Sequence, residues 1–145
     1  MNINDIQNHL YNDSNEMAIR YINSINDEET LFTYANNYNW DNGFDIPTAI
    51  IDNPACSLSV ALLLFHLADG ISYLESKRSN SNLPEWSVFV AMLYERIISN
   101  HYSKGNVAFQ LELTKVELFK LNKMLTDSEK IFITELDGTD CYITI

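Results

Sequence analysis

The chain has 145 residues and is 46% hydrophobic, which is enough to bury a core and excludes a disordered protein; we expect one domain over residues 1–145. Its 3 Pro and 4 Gly impose few breaks, which favours helices over a many-turned β architecture. A net charge of −11 disfavours binding to nucleic acid or to an anionic membrane and favours a basic protein partner, although an acidic surface also serves solubility alone.

The first residues lack the basic and apolar regions of a signal peptide, and the apolar run Leu58 to Ala68 is shorter than the about 20 residues that span a bilayer. We therefore expect a cytoplasmic protein. Cys56 and Cys141 do not have the spacing of metal ligands, and in a chain without an export signal we expect both to be buried thiols.

Helices are predicted over most of the first 40 residues. Ile3 to Tyr11 has apolar residues on one side, and an apolar stripe follows between Met17 and Ile25. Three acids, Asp27, Glu28 and Glu29, then begin another helix. These carboxylates either complement the positive end of the helix dipole or form a docking patch for a partner.

A loop of aromatic and acidic residues follows at Asn39 to Asp45. Trp40 and Phe44 flank its turn, and these rings either fold back on the core or remain partly exposed as anchors for a partner. The acids do not match a calcium-binding loop, since Gly43 follows Asp41 too closely and no closing carboxylate is present, so we expect no metal.

The centre of the chain predicts a buried helix at about 57–69, after a short helix at Ile46 to Asp52 and a break at Asn53-Pro54. Ser57 or Ser59 can cap this helix, and its residues are apolar on every face, which is typical of a helix enclosed by others.

His66 and Asp69 lie three residues apart at the end of that helix. They are interpreted either as an acid–base pair or two metal ligands, or structurally, as a His held by a carboxylate or placed near the negative end of the helix dipole. No nucleophile accompanies them, and the sequence predicts neither catalytic residues nor a cofactor.

The second half predicts a surface loop at Ser76 to Asn82 and an amphipathic helix at Leu83 to Asn100. Residues 107–113 alternate like a strand, 116–125 favour a helix, 127–136 combine a helix start with strand propensity, and Cys141 to Ile145 is a predicted strand. The predicted fold is mainly α, a compact multi-helix domain around the central helix, with a small β element near the C-terminus.

The stretch from about 34 to 74 resembles a bacterial family of small domains of unknown function. The resemblance rests on Asn39-Trp40-Asp41-Asn42-Gly43-Phe44, Ile46-Pro47, Asn53-Pro54 and Ala68-Asp69-Gly70, with Asn42 where the family has an acid. Agreement weakens toward residue 98. In size, acidity and lack of an export signal, the chain also resembles the immunity proteins of bacterial toxin systems.

The leading hypothesis is a protein-binding module, most specifically an immunity protein that neutralises a cognate toxin, such as a nuclease, by occluding its active site. Its predicted binding residues are Trp40, Asp41, Phe44 and Asp45, with Asp27, Glu28 and Glu29 as a second patch. The alternatives are an adaptor that uses a groove along Leu83 to Asn100, and a small hydrolase that uses His66 and Asp69.

Overall fold

The computed structural model describes residues 1–76 and 82–145, so most of the predicted loop at Ser76 to Asn82 lies outside the described residues. The described part contains eight α-helices: α1 (Ile3–Asn12), α2 (Asn15–Ser24), α3 (Glu28–Asn36), α4 (Asp45–Asp52), α5 (Leu58–Leu67), α6 (Gly70–Ser76), α7 (Pro84–Ile98) and α8 (Lys115–Met124). Two short 3-10 helices, Trp40–Asn42 and Ser128–Ile133, complete the regular structure. The prediction of a mainly α fold is confirmed.

The helix α5 lies at the centre of the fold, as its composition predicts. Every residue from Leu58 to Phe65 is buried, and α5 packs against α3 and α7. Ser57 is the residue that caps it, accepting a hydrogen bond from the Val60 amide at 3.4 Å. A helix that is apolar on all faces requires this enclosure, because an open face would leave large aliphatic side chains in water.

Polar side chains fix the packing of α2 against α4. The Asn53 side chain, buried at the end of α4, donates to the carbonyls of Ile22 and Ile25 at 2.9 and 3.0 Å. Both carbonyls lie at the C-terminal end of α2, where Ile22 O also accepts from the Ile25 amide at 3.0 Å. The Asn53-Pro54 break therefore ends one helix and ties it to the end of another.

The predicted β element near the C-terminus is wrong in extent, because the described residues form no sheet. Two isolated bridges join Val107 to Thr139 and Phe109 to Leu136. The last five residues have no regular secondary structure and are held by the Asn37 side chain, which donates to Ile143 O at 2.7 Å and accepts from Ile145 N at 2.9 Å. Of the ambiguous segments, 107–113 has no regular structure apart from the two bridge residues, and 127–136 contains the second 3-10 helix.

No single helix in residues 1–76 and 82–145 has the length and apolar composition to cross a bilayer; α5 and α6 would do so only as a pair bent by 78°. Both cysteines are free and buried, as predicted. Burial raises the pKa of the Cys56 thiol, which keeps this side chain protonated and unreactive at neutral pH.

Candidate partner-binding surface

The loop from Asn39 to Asp45 has a fixed shape. Asn39 accepts a hydrogen bond from the Asp41 amide at 3.1 Å and so begins the short 3-10 helix. Gly43 follows with φ +87°, a conformation that other residues rarely adopt. The Tyr38 hydroxyl then donates to the Gly43 carbonyl at 2.6 Å, which closes the turn against α3.

This turn brings Trp40 and Phe44 together against α7. Their ring centroids are 5.8 Å apart, and Phe44 lies 5.3 Å from the buried ring of Phe89. Both rings of the loop are half-buried. Both rings therefore pack against the core while remaining partly exposed, and their role as anchors for a partner stays a prediction.

The Trp40 indole is positioned by ring packing rather than by hydrogen bonding. Its Nε1 is buried, and no acceptor among the described residues reaches it. Trp86 behaves differently, since its Nε1 donates to the Ala68 carbonyl at 2.6 Å and thereby joins the start of α7 to the end of α5.

Exposed aliphatic side chains extend the aromatic pair into a continuous surface. Val88 is 69% exposed, Leu83 53% and Leu67 43%. We call this set the aromatic surface; its members are Trp40, Phe44, Leu67, Leu83, Trp86 and Val88. A concentration of exposed apolar side chains beside half-buried aromatics is typical of a protein-binding site.

Two hollows lie in the aromatic surface. The first, the α4–α7 hollow, has a volume of about 390 Å³ and is lined by Phe44, Asp45, Glu85, Val88, Phe89 and Met92. The second, the α5–α7 hollow, has a volume of about 410 Å³ and includes Trp40, Leu67, Leu83 and Trp86. Phe44 lines both, so the two hollows are adjacent and separated by one ring.

Carboxylates edge the surface. Asp45 and Glu85 line the α4–α7 hollow, and Asp69 lines the α5–α7 hollow. Asp41 is exposed on the 3-10 helix, between Trp40 and Phe44 in the chain. Burial and the negative charge of Asp45 raise the pKa of Tyr38 to about 12. The aromatic centre with acidic edges is suited to an apolar side chain flanked by basic ones.

Two of the three acids in the second predicted patch, Asp27 and Glu28, make hydrogen bonds within the chain. Asp27 caps α3, accepting from the Thr30 amide at 2.9 Å, and Glu28 accepts from the Asn106 amide at 2.7 Å. The other Glu28 oxygen is buried without a hydrogen-bond partner in the described part of the chain. Asp27 and Glu29 are both exposed, and Glu29 takes part in neither of these contacts.

His66 and Asp69 have different hydrogen-bond partners, and His66 lies in the last turn of α5, at the negative end of the helix dipole, as one of the structural interpretations predicts. His66 Nε2 donates to the Phe132 carbonyl at 2.6 Å, and Asp69 accepts from the Ser72 hydroxyl at 2.7 Å. Burial lowers the pKa of His66, which keeps it neutral at neutral pH. Both residues line a hollow of about 420 Å³, but no group of three or more His, Cys, Asp or Glu side chains in residues 1–76 and 82–145 has the arrangement of a metal site.

Sequence reasoning missed Leu67, Trp86 and Val88 as members of the surface. Trp86 belongs to the apolar stripe of α7, which assigns it to the core, whereas Val88 lies off that stripe. An apolar residue that lies off the buried stripe of a helix, as Val88 does, is the sequence feature that could have predicted an exposed apolar surface here. Of the groove predicted along Leu83 to Asn100, the part from Pro84 to Met92 lines the α4–α7 hollow, and its use by an adaptor stays a prediction.

The fold and this surface define a class: a mainly α-helical domain with an aromatic surface edged by carboxylates. The chain belongs to the DUF4274 family, described as a domain of unknown function, whose sequence model matches residues 26–98. The match runs from the start of α3 through α7 and includes both hollows. No curated protein and no solved structure matches the chain.

Proposed function

We propose that the protein is a cytoplasmic protein-binding module, most specifically an immunity protein that neutralises a cognate bacterial toxin by occluding its active site. The observation that carries the proposal is the aromatic surface itself. It places two half-exposed rings, Trp40 and Phe44, beside exposed aliphatic side chains and exposed carboxylates. The proposed binding residues are Trp40, Asp41, Phe44 and Asp45, joined by Val88 and Glu85.

The rings supply the apolar part of the binding energy. Because Trp40 and Phe44 are already packed against each other and against Phe89, they lose little conformational freedom on binding. Tryptophan is enriched at the energetic centres of protein interfaces, where a rigid ring excludes water over a large area. Leu83 and Val88 extend the area that a partner would cover.

The acids select a basic partner. A toxin that acts on nucleic acid needs a basic cleft for phosphates, and a chain of net charge −11 is attracted to such a cleft at long range. Asp45 and Glu85 lie at the hollow where Phe44 anchors the contact. The carboxylates that attract a basic partner therefore lie beside the ring that makes the apolar contact, which favours fast and selective association.

The proposal is tested by capture of partners from the native cells with the wild-type protein and with the variant Asp41→Lys/Asp45→Lys. The wild type should retain one basic protein through a high-salt wash, and the variant should lose it. A matched control, Asp127→Lys/Asp137→Lys, reverses the charge of two exposed acids outside the surface and should retain it. Retention by both variants would exclude this surface.

Neutralisation is tested separately from binding. The activity of the captured protein, for example nuclease activity, should disappear on addition of the wild type and persist with the double aspartate variant. A captured protein whose activity is unaffected by binding would contradict the immunity role and assign the same surface to an adaptor.

A further inference from the structure

The outward face of α8 carries positive charge, whereas the aromatic surface is edged by negative charge. Val116 is 62% exposed and Phe119 is 61% exposed, whereas Leu121 is buried and packs the helix against the core. Val116, Phe119, Lys120 and Lys123 follow at spacings of three, four and seven, which places them on one side of the helix. We call these four residues the basic face.

Lys123 covers Phe119 on this face. Its Nζ lies 4.4 Å from the ring centroid, a cation–π contact that holds the ammonium group over an exposed ring. The basic face thus presents an aromatic side chain with two lysines beside it.

The charge of α8 is unusual for this chain. Its ten residues contain Lys115, Lys120 and Lys123, three of the nine basic residues in a protein of net charge −11. A face of this kind fits a surface that is both apolar and acidic. Net charge does not select the partner of this face, because repulsion between like-charged molecules is screened beyond about 8 Å at physiological salt; the short-range match of apolar and charged groups does.

Such a surface exists in the chain itself. The α4–α7 hollow combines Phe44, Val88 and Met92 with the carboxylates of Asp45 and Glu85. Its volume of about 390 Å³ exceeds that of one aromatic side chain, and its walls are provided by two helices, α4 and α7. An amphipathic helix laid into an apolar groove is a recurring mode of recognition.

We propose that the basic face of α8 docks into the α4–α7 hollow of a second copy of this chain, with Phe119 in the hollow and Lys120 and Lys123 opposite Asp45 and Glu85. The two surfaces are different, so the contact is head-to-tail and leaves one surface free at each end. Association then continues into a ring or a short chain as concentration rises.

The contact also regulates the aromatic surface. A hollow filled by a second copy is not available to another partner, so dilution or a tighter-binding partner releases it. The self-association itself does not depend on the proposed immunity function, and it is tested with the purified protein alone.

The test measures mass against concentration by sedimentation or light scattering. The wild type should associate as concentration rises. Lys120→Glu/Lys123→Glu and Asp45→Lys/Glu85→Lys should each weaken association by roughly a hundredfold, because each places like charges opposite one another. Arg20→Glu/Lys104→Glu makes the same change in net charge as the lysine variant, at exposed positions outside both surfaces, and should associate like the wild type.

Mixing provides the decisive comparison. Each double variant keeps one intact surface, so an equimolar mixture of the two should recover a complex that neither forms alone. A wild type that stays monomeric at all concentrations, or a lysine variant that associates like the wild type, would overturn the proposal. Binding of the wild type, but not the lysine variant, to vesicles of anionic lipid would assign the basic face to a membrane and also overturn it.

Discussion

Trp40 lies edge-on to Phe89, with ring centroids 6.1 Å apart and ring planes at 67°. Trp40 belongs to the loop before α4, whereas Phe89 is buried on α7. This contact makes the position of the loop depend on α7, and it explains why the two halves of the aromatic surface come from distant parts of the chain.

The two tryptophans provide a first prediction about stability. Trp40→Phe should lower the free energy of unfolding by about 1 kcal/mol or less, because the indole N–H that it removes is buried without a partner. Trp86→Phe should cost about 2 kcal/mol, since it also removes the hydrogen bond to Ala68. Urea denaturation of both variants measures the difference. A larger loss for Trp40→Phe than for Trp86→Phe would contradict this account of Trp40.

Gly105 leads to a second prediction. A Cβ at this position would overlap the Glu28 carboxylate, so Gly105→Ala must displace it and break its bond to the Asn106 amide. The expected cost is about 1 to 2 kcal/mol of unfolding free energy. In a Glu28→Ala background the same substitution should cost close to nothing, which a double-mutant cycle by denaturation measures. Equal costs in both backgrounds would exclude Glu28 as the cause.

His66 gives a prediction about pH. Burial lowers its pKa below the ordinary value of 6.5, so the native state keeps the ring neutral while the unfolded chain takes up a proton as the pH falls through 6.5. The contribution of this residue to stability is therefore fully present above pH 6.5 and is lost as the pH decreases toward the folded pKa.

The measurement compares unfolding free energies above and below pH 6.5 for the wild type and for His66→Gln. The wild type should lose more free energy over this interval than the variant, because glutamine does not titrate. The NMR titration of the His66 ring should show a midpoint below 6.5. Identical losses in both proteins would contradict a lowered pKa.

The central helix could be predicted because its cause is local. A run that is apolar on every face must be enclosed, and the flanking Ser57 and Asn53-Pro54 mark where the helix starts and what precedes it. The α8 helix was also predictable, from the apolar spacing at 116–125. These patterns depend on neighbouring residues in the chain and not on tertiary contacts.

The C-terminal β element was predicted from alternating apolar residues, which do not by themselves show that two segments pair. Val107 and Phe109 are buried and bridge to Thr139 and Leu136, but Ala108 between them is buried as well, and Leu111 is only half-buried. The pairing at two positions depends on tertiary contacts that the alternation does not record.

The His66–Asp69 pairing failed for a geometric reason. The predicted contact between residues three apart assumed that the helix continues, but α5 ends at Leu67 and Asp69 has φ +59°. The left-handed conformation of Asp69 places its carboxylate where it accepts a hydrogen bond from the Ser72 hydroxyl instead. The aromatic surface was half predictable: Trp40 and Phe44 are evident in the loop, but the exposure of Val88 depends on how α7 lies against α4.

The most direct test of the binding surface is Val88→Lys, because Val88 is 69% exposed on α7 and its replacement should leave the fold intact. Val116→Lys makes the same change at a residue that is 62% exposed on α8. We predict that Val88→Lys loses the basic partner that the wild type captures, whereas Val116→Lys retains it, with both variants matching the wild type in circular dichroism. Full retention of that partner by Val88→Lys would contradict the claim that the aromatic surface is the binding site.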